Sequence, residues 1–236
     1  MTADQAAHAD LSRLVIGILG GTGDQGRGLA RRLALAGHRV VIGSRDAGRA
    51  QAAADELAAT LAGSRGHASG PLLSGALNAD AASQAHVVIA AIPWEGHRDL
   101  LASLAEQLAG KIVVDCVNPL GFDGKGAYAL PVPEGSAAQQ AAGVLPDSTV
   151  VGAFHHVSAT LLLDPEVDQI ELDVLVLGDE RQATDLVAAL ADEIPGMRGI
   201  YGGRLRNCGQ IEALTANLVS INRRYKAHAG LRITDV

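Results

Sequence analysis

"LVIGILGGTGDQGRGLARRLALAGHRVVIGSR", residues 14–45, carries the reading of the fold. Its first eight residues are an apolar run that closes in glycines, the length and composition of a buried parallel strand. A helix-periodic stretch follows, with Leu29, Leu33 and Ala36 on one face and Gly37 placed to stop it. "RVVIGS" is a second strand. Between the first strand and the helix stand Gly21, Gly23 and Gly26 in G-x-G-x-x-G spacing. In that setting glycines permit a tight turn, close backbone approach to a pyrophosphate and close strand–helix packing, with the phosphates at the helix N-terminus.

The end of the second strand distinguishes between dinucleotides. A carboxylate there would accept the ribose 2′-OH of NAD and repel a 2′-phosphate. This strand instead runs into Gly43, Ser44 and Arg45, with Arg49 one turn further on. Guanidinium groups offer phosphate a fixed fork of donors. The expected cofactor is NADP(H). The following "DAGRAQ" opens a helix former with Asp46 as its cap.

The alternation continues through "HVVIAAIP", "GHRDLLASLAEQLAG", "KIVVDCVNP" and "TVVGAF". Strands separated by helices of this length mean right-handed βαβ units and a Rossmann-type doubly wound parallel sheet of the α/β class. Residues 14–160 are expected to form the NADP-binding domain. Residues 161–236, with the strand "LDVLVLG" and a long last helix, are expected as a small C-terminal lobe closing the cleft. Residues 1–13 read as a flexible tail.

Composition excludes several classes. The chain has 236 residues, 48% hydrophobic and 19% charged, which suits a compact globule. Only 3% are aromatic and the net charge is −7, so no nucleic-acid partner is expected. No apolar run reaches the about 18 residues a membrane span needs. Cys116 and Cys208 lack metal-ligand spacing and read as free thiols of a cytoplasmic protein. The adjacent His155 and His156 have no companion ligands, so no metal is expected.

In such a sheet the ligand lies beyond the carboxyl ends of the strands. Pro93 and Trp94 follow one of them and Asn118, Pro119 and Leu120 another, where they would border the nicotinamide. One of the two histidines could face the cleft. No nucleophile elbow and no acid–base pair is recognisable, which points to a reaction needing little proton chemistry. From 197 to 232 stand seven basic residues, Arg204 and Arg206 among them, against the single acid Glu212. That asymmetry suggests an anionic second substrate, or else a solvated or subunit-facing helix.

The succession "LGGTGDQGRGLARRLALAGHRVVIGSR", "IPWEGH" and "KIVVDCVNPL" resembles the NADPH-dependent coenzyme F420 reductases, or F420:NADP oxidoreductases. The resemblance extends over residues 14–236 and is strongest before 120. It implies direct hydride transfer between NADPH and C5 of an 8-hydroxy-5-deazaflavin, in a homodimer. It carries NADP contacts to Thr22, Gly23, Asp24, Gln25, Ser44, Arg45 and Arg49, with further matches at Trp94, Arg98, Leu120 and Ala159. His155 matches a histidine beside the deazaflavin, orienting or hydrogen-bonding it. Val157 matches an aliphatic spacer between the two rings, and Gly230 a late cofactor contact. Two positions depart from the family pattern: Ser158 precedes Ala159 where a proline is usual, and Gly209 replaces an arginine, with Arg204 or Arg206 as candidate substitutes. The alternatives are an NADPH-dependent reductase of an imine, ketoacid or metal chelate, and a non-catalytic NADPH sensor.

Overall fold

A computed structural model describes Leu11, residues 14–61 and residues 72–236. Apart from Leu11, which is buried in the core, the expected tail at 1–13 lies outside the described residues. Ten strands are seen among them. They are β1 (Val15–Leu19), β2 (Arg39–Ser44), β3 (Leu73–Leu77), β4 (Val87–Ala90), β5 (Ile112–Asp115), β6 (Leu120–Asp123), β7 (Gly126–Ala129), β8 (Thr149–Gly152), β9 (Leu172–Gly178) and β10 (Met197–Gly203). The helices are α1 (Asp24–Leu35), α2 (Ala47–Leu61), α3 (Asn78–Gln84), α4 (His97–Ser103), α5 (Ala105–Leu108), α6 (Ala137–Val144), α7 (Ala159–Leu163), α8 (Arg181–Asp192) and α9 (Cys208–Tyr225).

Eight strands form one sheet in the order β10-β9-β8-β5-β4-β1-β2-β3, parallel throughout except where β9 meets β8. Successive strand residues feed opposite faces: Ile89 and Val114 join the core beneath α1 and α2, while Val88 and Val113 join the core beneath α4 and α6. Burial on both faces explains why these strands read as unbroken apolar runs. The order reverses between β1 and β4, and this is where a doubly wound sheet opens its crevice.

The segment after residue 160 is not a lobe of its own. Its β9 and β10 extend the main sheet, with Leu177 opposite Gly152. Of its helices, α7 packs back on α1 and α9 on α6 and β7. The stretch 119–148, expected as loop and short helix, contains the β6–β7 hairpin, whose turn is tied by Asp123 Oδ1 accepting the N–H groups of Lys125 and Gly126. Short, partly exposed strands such as β3, β6 and β7 carry little apolar pattern to read.

Candidate active site

A cleft of about 1000 Å³ opens at the carboxyl ends of β1, β2, β4 and β5. Its floor is the glycine turn. Gly20 adopts φ +66, and its N–H donates to Asn78 Oδ1 at 3.2 Å. A Cβ on Gly26 would stand 2.6 Å from Gly21 Cα, so this glycine lets α1 seat on the turn. A Cβ on Gly23 would meet nothing nearer than 3.6 Å. Its open side faces the cleft, where a pyrophosphate would approach. Gly23 also precedes α1, and no side chain caps that helix. Its first N–H groups and dipole are therefore free to meet an anion.

Ser44, Arg45 and Arg49 line the far end of the cleft together with Asp46. Asp46 does not contradict the expected phosphate preference, because it caps α2: its Oδ1 accepts Arg49 N–H at 2.7 Å. Both arginine side chains are exposed and make no ion pair among the described residues. At the other end, Pro93, Trp94, Asn118, Leu120 and His155 face one another across the cleft. Asn118 Nδ2 donates to His155 O at 2.7 Å, and Gln25 Nε2 donates to Phe154 O at 3.3 Å. Phe154 is left-handed at φ +62, a conformation costing on the order of 1 kcal/mol for a non-glycine residue. These two amides hold the loop in it. Behind the loop, the Arg32 guanidinium donates to the carbonyls of Leu161, Leu162, Asp164 and Val167, fastening α7 to α1.

His155 is buried, and neither ring nitrogen has a protein partner. Burial pulls its pKa down to about 4, with the neighbouring His156 adding to the effect against Asp115. It is a neutral imidazole at working pH. Cys116 also lines the cleft, but burial raises its pKa far above the ordinary thiol range. It is no nucleophile.

The geometry fits NADP(H), and the comparisons with known proteins name the family. The model for coenzyme F420-dependent NADP oxidoreductases matches residues 15–119. The F420-dependent NADP reductase of Methanothermobacter marburgensis is 39% identical over 226 residues, covering 94% of this chain and 98% of that one. The protein of the same name from Methanocaldococcus jannaschii is 39% identical over 224 residues, covering 94% and 98%. A crystal structure from Arthrobacter sp. FB24, described as an F420-dependent NADP-reductase, aligns with TM-score 0.76 at 30% identity, covering 94% and 99%. The chain belongs to the F420-dependent NADP reductase family.

Within this reductase, Thr22, Gly23, Asp24, Gln25, Ser44, Arg45, Arg49, Pro93, Trp94, Asn118, Leu120 and His155 line one cleft. Others stand back from it. Gly21 and Gly26 shape the turn, Val157 is buried in the core, and Pro119 is buried behind its neighbours. Ala159 opens α7. Arg98 is on the outer side of α4, paired with Glu134 at 2.8 Å. Gly230 packs on Leu172 at the start of β9, where a Cβ would come within 2.8 Å. Arg204 and Arg206 do not line the cleft: β9 and β10 run antiparallel to β8, so their carboxyl ends point away from it. Arg204 donates instead to Asp179 O at 3.0 Å. The basic C-terminal stretch is partly internal too, because Arg198 and Arg232 both clamp the buried Asp173.

Sequence reading also missed four site features. Asn78, at the start of α3, buttresses the glycine turn through Gly20. Phe122, on the hairpin, projects at the cleft mouth with 69% of its surface exposed. Glu212 caps α6 by accepting the N–H groups of Ala137 and Ala138, and burial raises its pKa to about 7 despite those bonds. Finally, an acid–base pair does exist: His97 Nε2 lies 2.6 Å from Asp115 Oδ2, both fully buried. His97 belongs to "IPWEGH", where the only cue was its position after the glycine. Among the described residues no group of three or more His, Cys, Asp or Glu is placed to hold a metal, and no helix is long and apolar enough to cross a membrane.

Proposed function

We propose that this protein transfers a hydride directly between NADP(H) and C5 of the deazaflavin coenzyme F420. The observation that carries the reading is membership of the family along 94% of the chain, together with two arginines that form no ion pair among the described residues, where NAD enzymes hold a carboxylate. The turn residues Thr22, Gly23, Asp24 and Gln25 receive the pyrophosphate, and Ser44, Arg45 and Arg49 the 2′-phosphate. Trp94, Asn118 and Leu120 border the nicotinamide, with His155 on the deazaflavin side and Val157, Ala159, Arg98 and Gly230 supporting from behind. When bound, the nicotinamide supplies the hydride and the deazaflavin accepts it. The chain's own task is to stack the two rings at roughly 3–3.5 Å and exclude water. A neutral, buried His155 suits that task, since it orients a ring without holding a proton to give.

Mixing the purified protein with NADPH and oxidised F420 tests the reading: the deazaflavin absorbance should bleach, and NADH should be a poor substitute. An NADPH reductase of an imine or ketoacid would leave F420 unreduced. The same reading makes the protein a cytoplasmic homodimer. The exposed Ile221 and Tyr225 of α9 and Tyr128 of the adjoining hairpin support a paired face. Light scattering at the protein's working concentration should return twice the 24.2 kDa chain mass.

A further inference from the structure

The buried His97 is wired at both nitrogens. Nε2 faces Asp115 Oδ2 at 2.6 Å and Nδ1 faces Gln140 Oε1 at 3.1 Å. Gln140 Nε2 donates to Glu134 Oε2 at 3.3 Å, and the other oxygen of Glu134 accepts from Arg98. This chain decides the charge on the ring. A neutral His97 donating to Asp115 would turn a lone pair toward the Gln140 oxygen. Flipping that amide would aim the same oxygen at the Glu134 carboxylate. The first arrangement puts two acceptors face to face in the buried interior, where the clash goes unscreened, and the second sets the amide oxygen against the half-buried Glu134 carboxylate. With Asp115 as a carboxylate, only a doubly protonated His97 satisfies every pair.

The charge sits between two cleft loops. His97 N–H donates to Trp94 O, closing the turn that carries Pro93 and Trp94, and the two rings lie 5.6 Å apart. Asp115 uses its other oxygen to accept Val117 N–H at 2.9 Å, setting the start of the loop that carries Asn118 and Leu120. We infer that the His97 imidazolium and the Asp115 carboxylate are positioning residues for hydride transfer, locking the Trp94 turn to the Asn118 loop so that the nicotinamide is held in one orientation. The inference rests on the hydride-transfer reading above.

Every group facing His97 agrees with a retained proton. Burial opposes the charge most strongly, but the hydrogen bond and charge of Asp115, then Gln140 and Glu212, outweigh it and raise the pKa. Beyond them stand Glu134 and Arg98, and the thiols of Cys116 and Cys208, which burial keeps protonated.

Trp94 is the protein's only tryptophan, which gives the test a direct reporter. A protonated imidazole quenches a nearby indole. Fluorescence of the ligand-free protein should stay low through neutral pH and rise only above the ordinary histidine value of 6.5. The rise should move to lower pH in Asp115→Asn, vanish in His97→Gln, and survive in Glu212→Gln and His155→Ala. A rise at or below 6.5, or one indifferent to Asp115→Asn, overturns the imidazolium. The positioning role is read with 2′,5′-ADP, which occupies only the adenosine half of the cleft. His97→Gln should bind it as the parent does, yet lose about tenfold or more in kcat with NADPH and F420. Parallel loss of 2′,5′-ADP binding would mean that the pair merely holds the fold, and the inference fails. If the parent itself does not reduce F420, the substrate reading fails instead. Energy transfer from Trp94 to bound NADPH then decides positioning: a drop in His97→Gln upholds it, and no change overturns it.

Discussion

Asp46 Oδ1 accepts the backbone N–H of Arg49 at 2.7 Å, so the carboxylate next to Arg45 and Arg49 is turned into the start of α2. Among the described residues the arginine side chains are left without acidic partners. A charge-assisted phosphate contact contributes about 1.5–3 kcal/mol. Arg45→Ala should therefore raise the NADPH dissociation constant at least about tenfold, and leave that for NADH nearly unchanged. Asp46→Ala should lower stability by about 1 kcal/mol through loss of the cap, without weakening NADPH. Equal losses for NADPH and NADH in Arg45→Ala would remove Arg45 from the 2′-phosphate site.

Gly23 and Gly26 share one motif but answer to different constraints. Gly26→Ala drives a methyl against Gly21 Cα, 2.6 Å away, and should cost about 1–3 kcal/mol in folding, as overpacking does. Gly23→Ala meets only Gly20 O at an ordinary contact distance of 3.6 Å, so its melting temperature should stay near the parent's. Its NADPH affinity should collapse, because the methyl occupies the line of pyrophosphate approach. Thermal melts and cofactor titrations of the two variants separate the roles. A Gly23→Ala protein that binds NADPH normally would move the pyrophosphate elsewhere.

His155 and His156 are both buried without ring partners, and burial holds both near a pKa of about 4. The folded protein keeps them neutral while the unfolded chain protonates them near 6.5. Their contribution is intact above 6.5 and is lost as pH falls toward 4. Glu212 acts in the opposite sense, because its raised pKa costs stability as pH climbs from 4.5 toward about 7. Comparing melting temperatures of the parent and a His155→Asn/His156→Asn double variant cancels the Glu212 effect. The double variant should lose less stability than the parent between pH 6.5 and 4.

His155 is expected to orient rather than to donate a proton. His155→Ala should slow hydride transfer moderately, by about tenfold, and leave measurable single-turnover chemistry. Complete loss of turnover in a folded variant that still binds both substrates would make it a proton donor.

Asp173 fastens the end of the chain. Its buried carboxylate accepts from Arg198 at 2.7 and 2.8 Å, from Arg232 at 3.1 Å and from Ile233 N–H. The Arg198 bond leads in holding its pKa well below the usual carboxylate range, against the pull of burial. That contribution is present above the ordinary carboxylate value and is lost only as pH falls through the depressed one. Asp173→Asn should lower stability at neutral pH by about 2 kcal/mol and expose residues after 226 to proteolysis first. Unchanged melting and cleavage would mean that the tail is held elsewhere.

The sequence by itself determined the parts that local chemistry controls. An apolar run, three spaced glycines, an amphipathic helix and a strand ending in Ser44-Arg45 specify a dinucleotide turn whatever surrounds them, because backbone approach and anion capture are settled within 32 residues. The loops carrying Trp94, Asn118 and His155 could likewise be assigned to the cleft, since parallel strands deliver their carboxyl ends to one edge. Tertiary structure alone decided what depends on distant partners. Reversal of the chain between β8 and β9 carried Arg204 and Arg206 away from the cleft, although their charge had suggested a place in it. Burial made His155 neutral. His97 and Asp115 lie 18 positions apart and look like an ordinary helix start and strand end. They become a charged pair only because the fold closes β5, α4 and α6 around them, removing the water that would otherwise have satisfied each alone.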